Sequence, residues 1–137
     1  MPEIEVSQFK DRFAALIVGG QGFPKKQLDR HILFVSAAMG LEPGRTYTEG
    51  ELNDQLRAWT AQFGEPVQLD HVTLRRFLVD EGYLQRDSAG ASYELRTSDW
   101  PYTVDASIRT LDLEALVSEA RQARALRKQQ YLDRTRK

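Results

Sequence analysis

The sequence contains no cysteine, and this absence excludes several kinds of chemistry at once. A chain without thiols forms no disulfides, binds no zinc through thiolates and uses no cysteine nucleophile. The sequence also has no run of about 18 apolar residues, the length that a membrane-spanning helix requires. Its amino terminus, MPEIEVSQFKDRF, is mixed in charge and differs from a secretory signal. We therefore expect a cytoplasmic protein that does not insert into a membrane.

An excess of charge of one sign is also lacking, because the 137 residues carry a formal net charge of -1. Such a chain has no global attraction for a polyanion. The distribution is less even: residues 25–97 hold 9 basic and 11 acidic side chains, whereas residues 121–137 hold 7 basic side chains and Asp133 as their one acid. Any attraction for nucleic acid therefore has to come from local clusters.

Histidine is scarce as well, and the two histidines, His31 and His71, lie outside any H-E-x-x-H pattern. No serine has the glycine neighbours of a nucleophile elbow. Glu49 and Glu51 could be read as paired carboxylates, but Glu51 has the spacing of a helix-capping residue and Glu49 suits the positive end of that helix. We expect a protein that is not an enzyme and that binds no metal or other cofactor.

Three segments can be distinguished along the chain. Residues 1–22 are expected to form an amphipathic helix, Glu3 to Val18, followed by a glycine-rich hinge. Residues 23–97 have the size of one small domain, and residues 98–137 read as a loop followed by a long basic helix from about Leu111 to Arg134. The apolar face of this last helix gives way to Arg124 and Arg127, so its second half has no stripe to hold it on a core.

Helix signals come first in the central segment. Pro24 suits the first turn of a helix that closes at Gly40, and residues 45–47 could be a short strand. Thr48 and Glu51 have the spacing of a capping box, and Asp70 suits the N-cap of a helix over residues 71–81. Apolar residues at helical spacing mark the third and fourth helices: Leu52, Leu56, Trp59 and Phe63 in one, Leu74, Phe77 and Leu78 in the other.

A hairpin follows these helices. Residues 83–86 and 91–96 read as strands around Asp87, Ser88, Ala89 and Gly90, which are typical loop residues. Three helices followed by a hairpin are typical of a winged helix-turn-helix, whose third helix enters the major groove of DNA. Here that third core helix is the fourth helix of the chain, residues 71–81. We therefore predict a mainly α (α+β) fold with a winged-helix core, a hairpin wing and flanking terminal helices.

A family resemblance supports this prediction. The segments GFPKKQLDRHILF, PGRTYTEGELNDQL and LDHVTLRRFLVDEGYLQRDSAGASYEL, within residues 23–95, resemble the bacterial domain-of-unknown-function family numbered 2087. The resemblance implies a transcriptional regulator and supplies no catalytic residues. FGEPVQ, residues 63–68, departs from the family pattern by lengthening the link between the third and fourth helices.

Candidate DNA contacts follow from this plan. Arg75 and Arg76 lie opposite the apolar side of the fourth helix, and a guanidinium can pair with guanine or with phosphate. We predict contacts with double-stranded DNA from Val72, Thr73, Arg75, Arg76 and Val79 on the helix, from Arg86 and Arg96 beside the hairpin, and from Lys25, Lys26 and Arg45. The alternative is a solvated helix face neutralised by Asp80 and Glu81.

A second function also fits the sequence. The protein could be an interaction module in which the winged-helix frame is structural and the terminal helices bind a partner or form a homodimer. This function accounts directly for the near-neutral charge. Salt-dependent binding to duplex DNA would distinguish the regulator from the module.

Overall fold

The computed structural model describes residues 2–136, and over this range the chain forms five α-helices and five short strands. The helices are α1 (Val6–Gly19), α2 (Gln27–Ala38), α3 (Glu49–Phe63), α4 (His71–Asp80) and α5 (Leu113–Thr135). The strands are β1 (Glu3–Ile4), β2 (Thr46–Thr48), β3 (Leu84–Arg86), β4 (Ser92–Leu95) and β5 (Thr103–Val104). The predicted mainly α (α+β) class is confirmed.

The centre of the fold is α2, in which every residue from His31 to Ala38 is buried. Because this helix is apolar around most of its circumference, it has to be covered on all sides. It begins at Gln27, three residues after Pro24, so the prediction of Pro24 in its first turn is wrong. The Pro24 carbonyl instead accepts a hydrogen bond of 2.8 Å from Nε of Arg30, which ties the entering loop to the helix.

The two helices that follow α2 in the chain begin where their caps predict. Thr48 and Glu51 form the capping box of α3, and the Asp70 carboxylate accepts from the amide of Thr73 at 2.7 Å to start α4. Between them, the chain makes a 3-10 helix over Glu65–Val67. At Gly64 a Cβ atom would lie 2.5 Å from the carbonyl oxygen of Leu69, so a glycine is required for the longer link to stay compact.

Two sheets complete the fold. The larger is antiparallel with strand order β2–β4–β3, and Tyr93 in its central strand is opposite both Tyr47 and Arg86. The hairpin is closed by Asp87, whose carboxylate accepts from the amide of Ala91 at 2.8 Å. This hydrogen bond, together with those from Ser92, lowers the pKa of Asp87. The order helix, strand, helix, helix, strand, strand from α2 to β4 is the order that the sequence predicted.

The terminal segments pack on the same core. Phe9, Phe13 and Ile17 of α1 and Val117 of α5 belong to the hydrophobic cluster that also contains the buried side chains of α2. The smaller sheet pairs β1 in parallel with β5. The prediction that the first helix starts at Glu3 is therefore wrong: Glu3 and Ile4 are extended because the loop after the hairpin offers them a strand, a partner that is distant in sequence.

The distal half of α5, Arg121–Thr135, has few contacts with this core. Every residue from Arg124 to Thr135 is exposed, among them Leu126, Tyr131 and Leu132. One contact fixes its start, because Nη1 of Arg124 donates to the carbonyl oxygen of Val18 at 2.8 Å. The expectation that this half lacks a stripe to hold it on the core is confirmed. Within residues 2–136, no helix has both the length and the apolar character needed to span a bilayer.

Candidate nucleic-acid interface

The outer face of α4 carries the residues predicted to read DNA. Val72 is 43% exposed, and Thr73 and Arg76 are also exposed. Arg75 and Val79 are half-buried, because they lie at the edges where α4 meets its neighbours. The inner face carries Leu74 and Leu78, both fully buried. Phe77, predicted to belong to the buried face, is only partly covered.

Phe77 nevertheless anchors α4 through its ring. It stacks on Phe23 with a centroid separation of 5.2 Å and on Phe34 of α2 at 5.1 Å. Stacked rings at this separation add to the energy of simple burial. The orientation of α4 is thus set by two buried leucines on one side and by an aromatic stack at the edge of the core.

Arg75 is held by α3. Its Nη1 donates to Oδ1 of Asn53 at 2.7 Å and lies 3.2 Å from Oε1 of Glu49. The side chain is 20% exposed, so part of the guanidinium faces solvent while one nitrogen is committed to α3. The proposed neutralisation by Asp80 or Glu81 does not apply to Arg75, since its acidic partner is Glu49. The amide of Asn53 thus joins α3 to α4.

Arg76, the next residue, has a different environment. Within residues 2–136 it makes no side-chain hydrogen bond or ion pair, and it is exposed. It borders a groove of about 180 Å³ between α4 and the hairpin, which we call the α4–hairpin groove. Its lining residues are Val72, Arg75, Arg76, Val79, Asp80, Arg86 and Tyr93.

The hairpin contributes Arg86 to this groove. The guanidinium carbon of Arg86 lies 5.8 Å from the centre of the Tyr93 ring, within range of a cation–π interaction. Gly90 in the loop has φ +71°, and a Cβ built there would come within 2.6 Å of Nη2 of Arg86. A glycine at this position therefore allows the left-handed turn, and a larger residue would displace the end of the Arg86 side chain.

The structure brings together five of the ten predicted contact residues: Val72, Arg75, Arg76, Val79 and Arg86. Thr73 is exposed on the same helix, outside the lining of the groove. Lys25 and Lys26 are exposed just before α2. The remaining two arginines have partners elsewhere.

Arg45 lies directly before β2 and is held by one residue of α3 and one of β2. Its guanidinium lies 3.2 Å from Oε2 of Glu51 and 4.5 Å from the centre of the Tyr47 ring. Arg96 borders a separate cavity beyond the hairpin, where its Nη2 is 3.8 Å from Oδ2 of Asp99. Neither residue lines the α4–hairpin groove. The sequence predicted a strand at each of them, but Arg45 lies just before β2 and Arg96 just after β4.

The sequence did not identify Tyr93 or Gly90 as parts of this site, and Asp80 was expected only as a neutralising charge beside Arg75 and Arg76. Tyr93 lies in a predicted strand, yet only the register that places it opposite Arg86 makes it a neighbour of that guanidinium. Gly90 was assigned to the loop without a role towards Arg86. A glycine in a hairpin loop beside an arginine-bearing strand is the one signal that could have suggested their contact.

A buried polar cluster lies behind α4. Nδ1 of His31 is 2.7 Å from the hydroxyl oxygen of Tyr83, and Nε2 is 3.6 Å from Oε2 of Glu81 at the end of α4. Burial lowers the pKa of His31, against a smaller opposing effect of Glu81. Burial also raises the pKa of the Tyr83 phenol far above its ordinary value. His31 is therefore a neutral core residue whose hydrogen bond joins α2 to the start of the hairpin.

The described part of the chain has no group of three His, Asp or Glu side chains arranged to hold a metal ion. The groove is a surface of three arginines and one acid, Asp80, with the buried ring of Tyr93 beneath Arg86. Guanidinium groups in such a setting can pair with phosphate oxygens or with the acceptor edge of guanine. Residues 25–97 hold 9 basic and 11 acidic side chains, so any attraction for phosphate is confined to the groove.

Comparison with known proteins gives one match. The family model described as "Uncharacterized protein conserved in bacteria (DUF2087)" matches residues 21–95. No curated protein and no solved structure matches the chain. The matched range includes α2, β2, α3, α4 and the hairpin, and thus the whole α4–hairpin groove. Since the match spans more than half of the 137 residues, the chain belongs to the bacterial DUF2087 family.

Proposed function

We propose that this protein is a cytoplasmic transcriptional regulator that binds double-stranded DNA through α4 and the hairpin. The observation that carries the proposal is the α4–hairpin groove, in which Arg75, Arg76 and Arg86 converge from two elements. In the winged-helix mode of binding, the third core helix enters the major groove and the hairpin contacts the backbone. α4 and the β3–β4 hairpin are the corresponding elements here.

The three arginines have different roles in this proposal. Arg76 is exposed and without a protein partner in the described residues, so its guanidinium is available to the edge of a base. Arg75 is oriented by Asn53 and offers its remaining donors to phosphate or base. Arg86, held against Tyr93 at the hairpin, is placed for the phosphate backbone. Only contacts to base edges carry sequence information.

Binding affinity is measured by mobility shift on duplexes with a randomised centre, over a salt series from about 50 to about 200 mM. Arg76→Ala should weaken binding to the selected sequence by roughly 5- to 150-fold, equivalent to about 1–3 kcal/mol for a bidentate base contact. Arg86→Ala should weaken binding to all duplexes and reduce the salt slope by about one.

Arg57→Ala is the matched control. It removes the same charge from an exposed position on α3, outside the groove, and should leave selectivity unchanged. A parent protein with no affinity for any duplex at about 50 mM salt, where phosphate contacts are strongest, would refute the proposal. Equal losses for Arg57→Ala and Arg76→Ala would also refute it, since they would reflect net charge alone.

One observation favours the interaction module as a second candidate. Of the four large apolar side chains that are exposed within residues 2–136, three lie in the distal half of α5: Leu126, Tyr131 and Leu132. A homodimer through terminal helices would cover them. Sedimentation of the full chain, compared with a chain ending at Arg124, tests this candidate: DNA indifference together with dimerisation that the truncation abolishes would favour it.

A further inference from the structure

A second cavity lies beyond the hairpin, lined partly by residues of the matched family region and partly by residues that follow it. Its volume is about 370 Å³, and it is bordered by the end of α2, the end of β4, the loop over residues 97–102 and the segment after it. Ligand sites for small molecules occupy about 300–1,000 Å³, so the cavity has room for a compact organic molecule. We call it the Trp100 cavity. It shares no residue with the α4–hairpin groove.

Two aromatic side chains give this cavity a fixed wall. The indole Nε1 of Trp100 donates to the carbonyl oxygen of Arg96 at 2.7 Å, and the indole ring meets Tyr83 edge to face at 4.9 Å. The ring of Tyr102 lies 4.9 Å from that of buried His31. Both rings are only half-buried. Aromatic surface that is held in place and open to solvent favours a flat, apolar ligand, because little ordering is needed on binding.

The polar side of the cavity is cationic. Arg109 is anchored by Nη1, which donates to the carbonyl oxygens of Met39 and Leu41 at 2.9 and 2.8 Å. Arg96 has a looser contact: its Nη2 is 3.8 Å from Oδ2 of Asp99, whose side chain is 78% exposed. An ion pair of this length at the surface contributes little energy. The carboxylate of Asp99 therefore occupies a position beside Arg96 that another carboxylate could take.

We propose that the Trp100 cavity binds a small aromatic carboxylate. The ring would pack against Trp100 and Tyr102, and the carboxylate would pair with Arg96 in place of Asp99. Charge-assisted pairing between a guanidinium and a carboxylate is stronger than a neutral hydrogen bond. The combination of an apolar aromatic wall and one exchangeable cationic partner selects this class over neutral aromatics and over aliphatic acids. The inference stands independently of DNA binding.

Sodium benzoate is the probe, and the two tryptophans provide an internal comparison by ¹H–¹⁵N NMR of the intact protein. The indole N–H resonance of Trp100 should shift and saturate on titration. That of Trp59, which is buried with its Nε1 donating to Oγ of Ser36, should stay in place. Benzamide lacks the charge and acetate lacks the ring, so both should bind at least about tenfold more weakly than benzoate.

Three variants complete the test. Arg96→Gln should weaken benzoate binding by at least about tenfold through loss of the charged partner. Asp99→Asn should strengthen it by roughly two- to fivefold, the range expected on removing a weak competing ion pair. Arg86→Gln makes the same charge change outside the cavity and should leave benzoate affinity unchanged.

Several results would overturn the proposal. One is the absence of a saturable Trp100 shift while the spectrum remains that of the folded protein. Equal affinities for benzoate and benzamide would rule out the carboxylate pairing, as would unchanged benzoate affinity in Arg96→Gln. A shift of Trp59 equal to that of Trp100 would indicate general association of benzoate with the chain.

Discussion

The α4–hairpin region and the distal half of α5 both carry several arginines, but their surroundings differ. On α4 and the hairpin, Arg75 is bound to Asn53 and Arg86 lies against Tyr93, so the protein fixes where the charge is. On α5, every residue from Arg124 to Thr135 is exposed, and Arg124 donates a hydrogen bond to the carbonyl oxygen of Val18 in α1. A guanidinium that the protein holds presents its donors in one orientation, as at Arg75 and Arg86, whereas the exposed arginines along α5 contribute mainly to the general electrostatic field.

The largest expected difference between the two regions is in stability. Leu78→Ala in α4 removes a fully buried side chain and should lower the free energy of unfolding by about 2–5 kcal/mol. Leu126→Ala makes the same change in the distal half of α5, where the side chain is 59% exposed, and should change it by no more than about 0.5 kcal/mol. Urea denaturation with an unchanged m-value measures both. Similar losses for the two variants would show that the distal half is covered in solution.

The next difference lies within α4 itself. Arg75→Ala breaks the contacts with Asn53 and Glu49 and should cost about 1 kcal/mol of unfolding free energy. Arg76→Ala should cost less than about 0.5 kcal/mol. A double-mutant cycle with Asn53→Ala isolates the energy of the Arg75 contact. If the effects of Arg75→Ala and Asn53→Ala are additive, α3 does not hold the arginine, and Arg75 does not differ from Arg76 in this respect.

A smaller effect concerns pH and the core behind α4. Because burial lowers the pKa of His31 in the folded state, the unfolded chain binds a proton more readily, and stability should fall as pH decreases below about 6.5. Four carboxylates with lowered pKa lose their contribution to stability only near pH 4 and below. They are Glu51, Asp70, Asp87 and Asp105. The window from about pH 7.5 to about pH 5.5 therefore isolates the histidine.

Unfolding free energies across that window provide the measurement. His31→Gln should flatten the dependence on pH, and His71→Gln, which changes the half-buried histidine at the start of α4, should retain it. A parent protein equally stable at both ends of the window would mean that His31 is not desolvated. A flattened pH profile in His71→Gln would show that the pH dependence of stability comes from His71 and not from His31.

The smallest expected effect is that of ending the chain at Arg124. Since residues 125–136 are exposed, the free energy of unfolding should change by no more than about 0.5 kcal/mol, while helical circular dichroism falls. Thermal or urea unfolding of the truncated chain provides the check. A large loss of stability would show that residues beyond 124 pack on something in solution, with a second copy as the first candidate.

The elements with local signals were predictable from the sequence. The capping box of Thr48 and Glu51, the N-cap of Asp70 and the hairpin loop around Gly90 depend on residues within a few positions of one another. The strand at Glu3 and the late start of α2 at Gln27 were missed. The first depends on pairing with Thr103, and no local pattern of residues 3–4 reveals a partner so distant in sequence.

The candidate site was predictable in part for the same reason. Helical periodicity placed Val72 and Arg76 on the outer face of α4, as observed. Arg75 is held by α3 and Arg76 is not, and helical periodicity did not reveal this difference. Strand assignment placed Arg86 and Arg96 beside the hairpin, but they line separate cavities. Which side chains line a groove depends on how the helices and strands pack together, and no local sequence pattern encodes that packing.

By itself, the sequence determined the mainly α (α+β) class, the order of the elements, most of the helix boundaries and the family, because caps, turns and apolar periodicity act over a few residues. Only the tertiary structure decided which arginines are held, that β1 pairs with β5, and that Trp100 and Tyr102 border an open cavity with Arg96. These outcomes depend on contacts between residues far apart in the chain. The energy of such contacts arises only once the helices and sheets have packed, so these contacts produce no periodic pattern in the sequence.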